Sequence, residues 1–259
     1  ENLYKVFSCH WLRLGLPSRL YKEMTQQAFI EFANFPFVDY LIYTLPIVCA
    51  SELGIKLVIF GENPVYEYGT SNKDSPFVNM SQFNEVREWI EEEFSVAKLA
   101  SLSDMMIQKV LFSPIPTDVT AIYMSYYVPW SGHQNYLLAK SFGFKELEWK
   151  RKGYIENYDS IDSIGWLISN VLKYWKFGFG RTTDIASRWI REGRIGREES
   201  IKLINKNDHL LDERILRDFL KLTGFTKKEF FSVIDRFVNK EIMERKGNLW
   251  MKKKEHQLS

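Results

Sequence analysis

The stretch KLVIFGENPVYEYGT, residues 56–70, decides the fold class, because an apolar run ends there in polar and conformationally stiff residues. Lys56 to Phe60 is short and rich in branched and aromatic residues, which is typical of a buried strand. An apolar helix predicted from Val38 to Leu53 precedes it and ends at Gly54, the residue type that helix C-caps prefer. A helix that leads into a buried strand is half of a βαβ unit, so the stretch predicts an α/β fold.

A second segment repeats this pattern of strand, polar turn and helix. VTAIYMSYY, residues 119–127, predicts another buried strand, and Pro129 ends it. Ser131 is then placed to cap a helix that begins in HQNYLLAKSFGF. Together the two segments predict an open parallel sheet flanked by helices, with the functional site in the loops at the carboxyl ends of the strands.

The composition is that of an ordinary folded protein and excludes several classes. Hydrophobic residues make up 45% of the chain and charged residues 26%, and no apolar run approaches the roughly 20 residues that cross a bilayer. The 35 basic and 33 acidic residues nearly balance, so we expect no nucleic-acid partner and no membrane insertion. Cys9 and Cys49 form no CxxC pair, which argues against structural zinc and for reduced thiols in a cytoplasmic protein.

The last hundred residues predict a different organisation. After Tyr158 the strand signals fade, and successive helices are predicted, one capped by Asp184 and one by a capping box of Thr226 and Glu229. Amphipathic helices are also predicted over Leu20 to Phe35 and over Ser81 to Ala100. We therefore predict an α/β domain over residues 1–157 and a helical subdomain over residues 158–259, which ends in a frayed basic tail.

The turn after the first predicted strand is the first candidate site. Glu62 and Asn63 place an acid and an amide at the sheet edge where such folds bind ligands. The acid is suited to a magnesium ion or a substrate amine, and the amide to a sugar hydroxyl or a ring edge. The same residues also fit a plain turn in which Asn63 and Pro64 make the bend. The candidate residues of this turn are Glu62, Asn63, Glu67 and Tyr68.

KFGFGRTTDIASRW, residues 176–189, is the second candidate. Glycines, Arg181 and two threonines lead into a helix, so free amides, the helix dipole and a guanidinium are predicted to converge on a phosphate. Between Lys173 and Lys206 there are nine basic and four acidic residues, which favours an anionic ligand. A helix with solvated arginines fits the pattern equally well, since it is neither a P-loop nor a Rossmann fingerprint. The candidate phosphate-binding residues are Lys176, Arg181, Thr182 and Thr183.

The third candidate is YVPWSGHQNY, residues 127–136. His133 is suited to general acid or base catalysis because an imidazole titrates near neutral pH, and Asn135 lies on the same turn. A surface histidine in a capping turn is the alternative interpretation. The sequence shows no Ser, His and Asp set at a familiar spacing and no metal-ligand cluster, which argues against nucleophilic hydrolysis and zinc chemistry.

In this order the segments resemble the N-acetyl sugar amidotransferase family, a branch of the PP-loop, or adenine nucleotide alpha hydrolase-like, ATPases. The resemblance spans roughly Leu20 to Phe225. It rests on four stretches, of which the last is the most specific: GIKLVIFGENPVYEYG, YYVPWSGHQNYLLAKSFGF, NYDSID and KFGFGRTTDIASRWIREGRIGREESIKLI.

The resemblance implies a specific reaction. Such enzymes use ATP and Mg²⁺ to adenylate the carbonyl oxygen of an N-acetyl sugar, and ammonia then displaces AMP to give an acetamidino sugar of a surface polysaccharide of the lipopolysaccharide O-antigen type. The ammonia comes from a glutaminase partner through a cyclase-like subunit, and the sugar is expected to be nucleotide-linked. By this resemblance Glu62, Asn63 and Arg181 would be catalytic. Glu67, Tyr68, His133 and Asn135 would bind substrate, and Lys176, Arg181, Thr182 and Thr183 would bind phosphate.

The sequence departs from the family in its phosphate-binding loop. The SGGxDS loop and the N-terminal cysteine pairs of the family do not occur in this chain. We expect the chain to be the carboxyl part of a longer enzyme, and the other interpretation is a divergent member that does not hydrolyse ATP. Two further functions stay open, a non-catalytic sugar-binding or assembly module and another PP-loop ligase such as a tRNA-modifying enzyme.

Overall fold

A computed structural model describes residues 2–69, 75–94, 105–247 and 249–258. It is a mixed α/β protein with many helices and a small parallel sheet, which confirms the predicted fold class. Within those residues no helix combines the length and the apolar character that a bilayer span requires. The elements in chain order are α1 (Asn2–Phe7), α2 (Ser18–Phe32), α3 (Pro36–Glu52), β1 (Leu57–Phe60), α4 (Pro64–Tyr68), α5 (Asn84–Glu93), α6 (Met105–Phe112), β2 (Thr120–Tyr123), α7 (Gly132–Ser141), α8 (Ile164–Phe177), α9 (Arg181–Arg191), α10 (Arg197–Asn207), α11 (Glu213–Thr223), α12 (Lys227–Phe237), β3 (Met243–Lys246) and β4 (Leu249–Lys252).

The chain forms two compact units. Unit 1 comprises residues 1–16 and 36–142, and unit 2 comprises residues 17–35 and 143–259. The helix α2 therefore packs with the carboxyl-terminal helices although it lies early in the sequence. The domain boundary predicted near residue 157 stays a prediction.

The centre of unit 1 is a two-stranded parallel sheet. β1 pairs with β2 in the register Leu57 to Thr120 and Phe60 to Tyr123, and the helices α4, α5 and α6 form the crossover that a parallel pair requires. The helix α3 covers one face of the sheet, where the ring of Tyr43 lies 4.9 Å from that of Phe60 and 6.3 Å from that of Tyr123. This packing fixes the ends of both strands against one helix.

The strand predictions need two corrections. β1 is not fully buried, because Leu57 is 47% exposed and Ile59 54% exposed on the face away from α3. The second predicted strand is too long, since β2 ends at Tyr123 and a 3₁₀ turn follows over Met124–Tyr126. A run of apolar and aromatic residues does not reveal where pairing stops, so the sequence pattern extended the strand into the turn.

Unit 2 is built around an aromatic cluster. The ring of Phe29 on α2 lies 5.2 Å from the rings of both Phe219 on α11 and Phe230 on α12. The helix α8 packs against α9, α11 and α12, and it ends at Gly178, whose φ of 81° is the left-handed conformation that glycine adopts without strain.

The prediction of a frayed tail was wrong. Residues of the tail form the antiparallel hairpin of β3 and β4, followed by a 3₁₀ turn over Lys254–His256. Trp250 anchors the hairpin, because its indole Nε1 donates to Asp235 Oδ1 at 2.7 Å and its carbonyl accepts from Trp175 Nε1 at 3.1 Å. The lysine-rich sequence of the tail is typical of a solvated terminus and gives no signal for these two hydrogen bonds of Trp250.

Candidate functional site

The carboxyl ends of β1 and β2 lie at the same edge of the parallel sheet, as the sequence predicts. The loops that follow the two strands are in contact, because Trp130 Nε1 donates to the carbonyl oxygen of Gly61 at 2.9 Å. The ring of Tyr66 lies 5.3 Å from the ring of Trp130 and adds a second contact between the loops. Residues that are far apart in sequence are thereby assembled at one edge of unit 1.

Three buried polar atoms on these loops have no hydrogen-bond partner within the described residues: Glu62 Oε2, Ser125 Oγ and His133 Nδ1. We call Glu62, Ser125 and His133 the strand-end site. The described residues hold only two other atoms of this kind, Arg87 Nε and Arg151 Nε, so three of the five lie in the segments that follow β1 and β2. An unpaired buried polar atom costs about 1–3 kcal/mol, which makes the cluster a candidate for ligand binding.

The surroundings of Glu62 are consistent with this interpretation. Burial raises the pKa of Tyr123 at the end of β2, and the charge of the Glu62 carboxylate adds to the increase, so that charge lies close to both strand ends. A Cβ atom placed on Gly61 would meet no neighbouring atom within 4 Å. The space beside the Gly61 backbone is therefore open, directly before Glu62 in the chain.

Two other residues of the predicted site form the start of α4. Asn63 Oδ1 accepts from the amide of Tyr66 at 3.0 Å, and Glu67 Oε2 accepts from the amide of Asn63 at 2.9 Å. This is a helix N-terminal cap, and Pro64 occupies the first helical position. The turn interpretation of Asn63 and Pro64 thus has a direct structural basis, and the catalytic role of Asn63 and the substrate-binding role of Glu67 stay predictions.

The remaining candidates of unit 1 are separate from this cap. Ser131 caps α7, as predicted, by accepting from the amide of Gln134 at 3.3 Å. His133 lies in the first turn of this helix, while Asn135 is exposed. Tyr68 is the last residue of α4, and the prediction for its side chain lies outside what the structure describes.

In unit 2, Arg181 forms a buried ion pair. Its Nε and Nη2 donate to the two carboxylate oxygens of Asp159 at 2.7 and 2.6 Å. Lys173 Nζ donates to Asp184 Oδ2 at 2.6 Å, and that oxygen lies 3.6 Å from Arg181 Nη1. We call Asp159, Lys173, Arg181 and Asp184 the arginine cluster. Asp184, predicted to cap α9, instead lies in the first turn of the helix, which begins at Arg181.

The charges of the cluster stabilise each other. Burial alone would raise the pKa of Asp159, but the charge and hydrogen bonds of Arg181 hold that pKa below its ordinary value. Burial likewise opposes the charge of Arg181, and the Asp159 carboxylate raises the pKa of the guanidinium above its ordinary value. Both side chains are therefore ionised in the folded protein at neutral pH.

The amino end of α9 is capped by a carboxylate of the protein. Asp208 accepts from the amide of Gly180 at 2.9 Å, from the amide of Thr183 at 3.0 Å and from the hydroxyl of Thr183. Thr182 Oγ1 donates to the carbonyl of Gly153 at 3.1 Å, and Lys176 Nζ donates to the carbonyl of Phe32 at 2.9 Å. Each residue predicted to bind phosphate therefore donates to a protein acceptor.

Sequence reasoning missed Ser125, Asp159 and Asp208. Ser125 was placed inside the predicted second strand, so its position after the strand end was not recognised. Asp208 follows α10, 25 residues beyond Thr183, and no local pattern links the two. Within the described ranges no group of three or more His, Cys, Asp or Glu side chains is arranged to hold a metal ion.

A family model described as "LPS biosynthesis protein WbpG-like, C-terminal domain" matches residues 121–255. The matched region is just over half of the 259 residues. It contains Ser125, His133 and the arginine cluster, and it begins after Glu62. No curated protein matches the chain.

Proposed function

Because the chain belongs to the WbpG-like family of LPS biosynthesis proteins, we propose that it is an ATP-dependent amidotransferase that converts an N-acetyl group of a sugar into an acetamidino group. The observation that carries the proposal is a pair of buried atoms that have no hydrogen-bond partner among the described residues: Glu62 Oε2, just after β1, and His133 Nδ1, in the first turn of the helix that follows β2. We place the sugar at this strand-end site, in the cytoplasm, where nucleotide-linked sugars are the substrates that the resemblance implies.

The side chains of the site are suited to an N-acetyl sugar. The Glu62 carboxylate accepts hydrogen bonds, and a sugar ring offers hydroxyl donors for it. Trp130 adds an aromatic ring that its hydrogen bond to Gly61 holds in place, and such rings pack against the apolar faces of sugars. A carboxylate beside a fixed aromatic ring thus supplies both the polar and the apolar contacts that one sugar needs.

His133 is the residue proposed to handle protons. When ammonia attacks the substrate carbon, the new nitrogen must lose a proton, and a neutral imidazole in contact with that nitrogen accepts it. Nδ1 of His133 is buried and has no hydrogen-bond partner in the part of the chain that the structure describes, which leaves it available for this contact. Glu62 would meanwhile hold the sugar so that the acetamido group faces the imidazole.

ATP and Mg²⁺ enter the proposal through the resemblance. ATP would convert the amide oxygen, a poor leaving group, into one that departs as AMP. The side chains predicted to bind phosphate do not fit the phosphates of ATP in this structure, because each of them already donates to an acceptor of the protein. These residues are Lys176, Arg181, Thr182 and Thr183. We therefore derive no step through ATP from these residues. The glutaminase and cyclase-like partners are likewise proposed as the source of ammonia.

The occupied donors favour a second candidate, a sugar-binding or assembly module without catalysis. Asp208 at the amino end of α9 repels a phosphate at the place where the sequence predicts one. Such a module would bind the same N-acetyl sugar at the strand-end site and release no AMP.

One assay separates the two candidates. The full chain is incubated with ATP, Mg²⁺, ammonium chloride and a panel of UDP-linked N-acetyl sugars; AMP and the amidine are measured by mass spectrometry, and sugar binding by titration calorimetry. We expect AMP and amidine to form in equal amounts, and Glu62→Gln and His133→Asn to reduce both without unfolding the protein. Sugar binding without AMP would support the module, and the absence of both would refute sugar recognition altogether.

A further inference from the structure

Ser125 is a partly buried serine at an unusual position in the chain. It lies in the 3₁₀ turn Met124–Tyr126, directly after β2, where the chain leaves the sheet. Its Oγ is buried and has no hydrogen-bond partner within the described residues. A serine that only stabilises a turn would bond to a nearby backbone group, as Ser131 does with the amide of Gln134.

The hydroxyl shares this state with the two other members of the strand-end site. Glu62 Oε2 is an acceptor, while Ser125 Oγ and His133 Nδ1 each donate or accept according to their protonation and rotamer. All three follow the carboxyl ends of β1 or β2, and the Trp130 bond to Gly61 joins the two loops. The segments that follow the two strands thus carry one acceptor and two adaptable groups without a hydrogen-bond partner among the described residues.

We propose that Ser125 is a third substrate-contacting residue, which hydrogen-bonds the acetamido group or an adjacent ring hydroxyl of an N-acetylhexosamine held by Glu62 and His133. This inference rests on the proposed sugar-binding function and adds the residue that selects the sugar. An acetamido group carries one N–H donor and one carbonyl acceptor, and a hydroxyl pairs with either. A site that hydrogen-bonds this group discriminates strongly against sugars that lack it.

Ser125 then has opposite effects on the free and the bound protein. In the free protein the buried hydroxyl has no partner among the described residues and should destabilise the fold, so we expect that its removal does not lower stability. In the complex the hydroxyl is paired with the sugar, so its removal weakens binding. A serine with a structural partner shows the reverse pattern, because its removal destabilises the free protein.

The test compares Ser125→Ala with Ser51→Ala in the full chain. Ser51 is a matched control from the same unit, because its Oγ donates to Asp118 Oδ1 at 2.7 Å beside the amino ends of the strands. The probes are N-acetylglucosamine, N-acetylgalactosamine and N-acetylmannosamine, with glucose and UDP as controls for the acetamido group and the nucleotide. Binding is measured by titration calorimetry and by NMR, and stability by urea unfolding.

We expect Ser125→Ala to weaken binding of the preferred N-acetyl sugar about tenfold, the value of one hydrogen bond, while the urea midpoint stays the same or rises. Ser51→Ala should leave binding unchanged and lower or preserve the midpoint. A lower midpoint with unchanged affinity in Ser125→Ala would overturn the inference. If Glu62→Gln abolishes sugar binding while Ser125→Ala does not weaken it, the Ser125 inference is wrong but the proposed function stands. If no probe binds to the wild-type chain, the Ser125 inference and the proposed function are both wrong.

Discussion

Replacement of Arg181 by alanine is predicted to destabilise unit 2 by about 3–5 kcal/mol. Arg181 donates to both oxygens of Asp159 at 2.7 and 2.6 Å, and the two side chains are only 16% and 13% exposed. Removal of the guanidinium leaves a buried carboxylate without its cation, and the loss of one partner from such a pair costs about 3–5 kcal/mol. The loss follows from the fold and requires no ligand.

The free energy of unfolding of the full chain in guanidinium chloride provides the assay. Arg19→Ala is the matched control in the same unit, because Arg19 Nε lies 2.9 Å from Glu23 Oε1 but the arginine side chain is 90% exposed. An exposed pair of this kind contributes little to stability because solvent screens it. If Arg181→Ala loses no more stability than the control, the reasoning from burial is wrong.

The same ion pair determines a pH dependence. The pKa of Asp159 is lower in the folded than in the unfolded protein, so its contribution is complete above the unfolded pKa of about 3.8 and is lost as the pH falls through the folded pKa. Wild-type stability should therefore decrease with acidification below about pH 4. Asp159→Asn should show a shallower decrease over this range, and an unchanged slope would contradict the assignment.

Two further perturbations test features of the fold. Asp208→Ala should lower the free energy of unfolding by about 2 kcal/mol, since it removes the cap of α9 and leaves the amides of Gly180 and Thr183 unpaired; a urea midpoint equal to that of wild type would refute the cap. Burial raises the pKa of Asp39 from 3.8 to about 7, so the stability of the wild-type chain should decrease as the pH rises across that interval. Asp39→Asn should remove this decrease, and at pH 8 its free energy of unfolding should exceed that of wild type by at most about 4 kcal/mol, at 1.36 kcal/mol per pKa unit. A variant with the wild-type pH profile would contradict the raised pKa.

The fold class could be predicted because its signals are local. Gly54 after α3, Ser131 before α7 and the Thr226 capping box each leave a mark within a few residues of the helix end, and the structure has all three. The start of α9 could not be predicted in this way. Asp184 is a good capping residue by type, but the carboxylate that caps the helix belongs to Asp208, which only the packing of α10 on α9 brings there.

The candidate site was predictable in part for the same reason. Glu62 stands out in sequence because it closely follows an apolar strand, and His133 because it follows the serine that caps a helix; one buried atom of each has no partner among the described residues. Asn63 and Glu67 have a similar sequence context to Glu62, yet their side chains accept hydrogen bonds from the amides that begin α4. Arg181 has the sequence context of an anion ligand, and only tertiary structure shows Asp159 as its partner. The sequence identifies polar residues at the edge of the sheet, but only their hydrogen-bond partners in the fold show which side chains remain available to a ligand.

The affinity for an N-acetyl sugar in Glu62→Gln, compared with Glu52→Gln, tests the central claim most directly. Both acids lie in unit 1, but Glu52 at the end of α3 pairs with Lys109 at 2.7 Å, whereas Glu62 Oε2 is buried and has no hydrogen-bond partner among the residues that the structure describes. We predict that titration calorimetry gives a dissociation constant at least about tenfold higher for Glu62→Gln and unchanged for Glu52→Gln, with both variants folded. Equal affinities in the two variants and the wild-type chain would contradict a sugar site at the ends of β1 and β2.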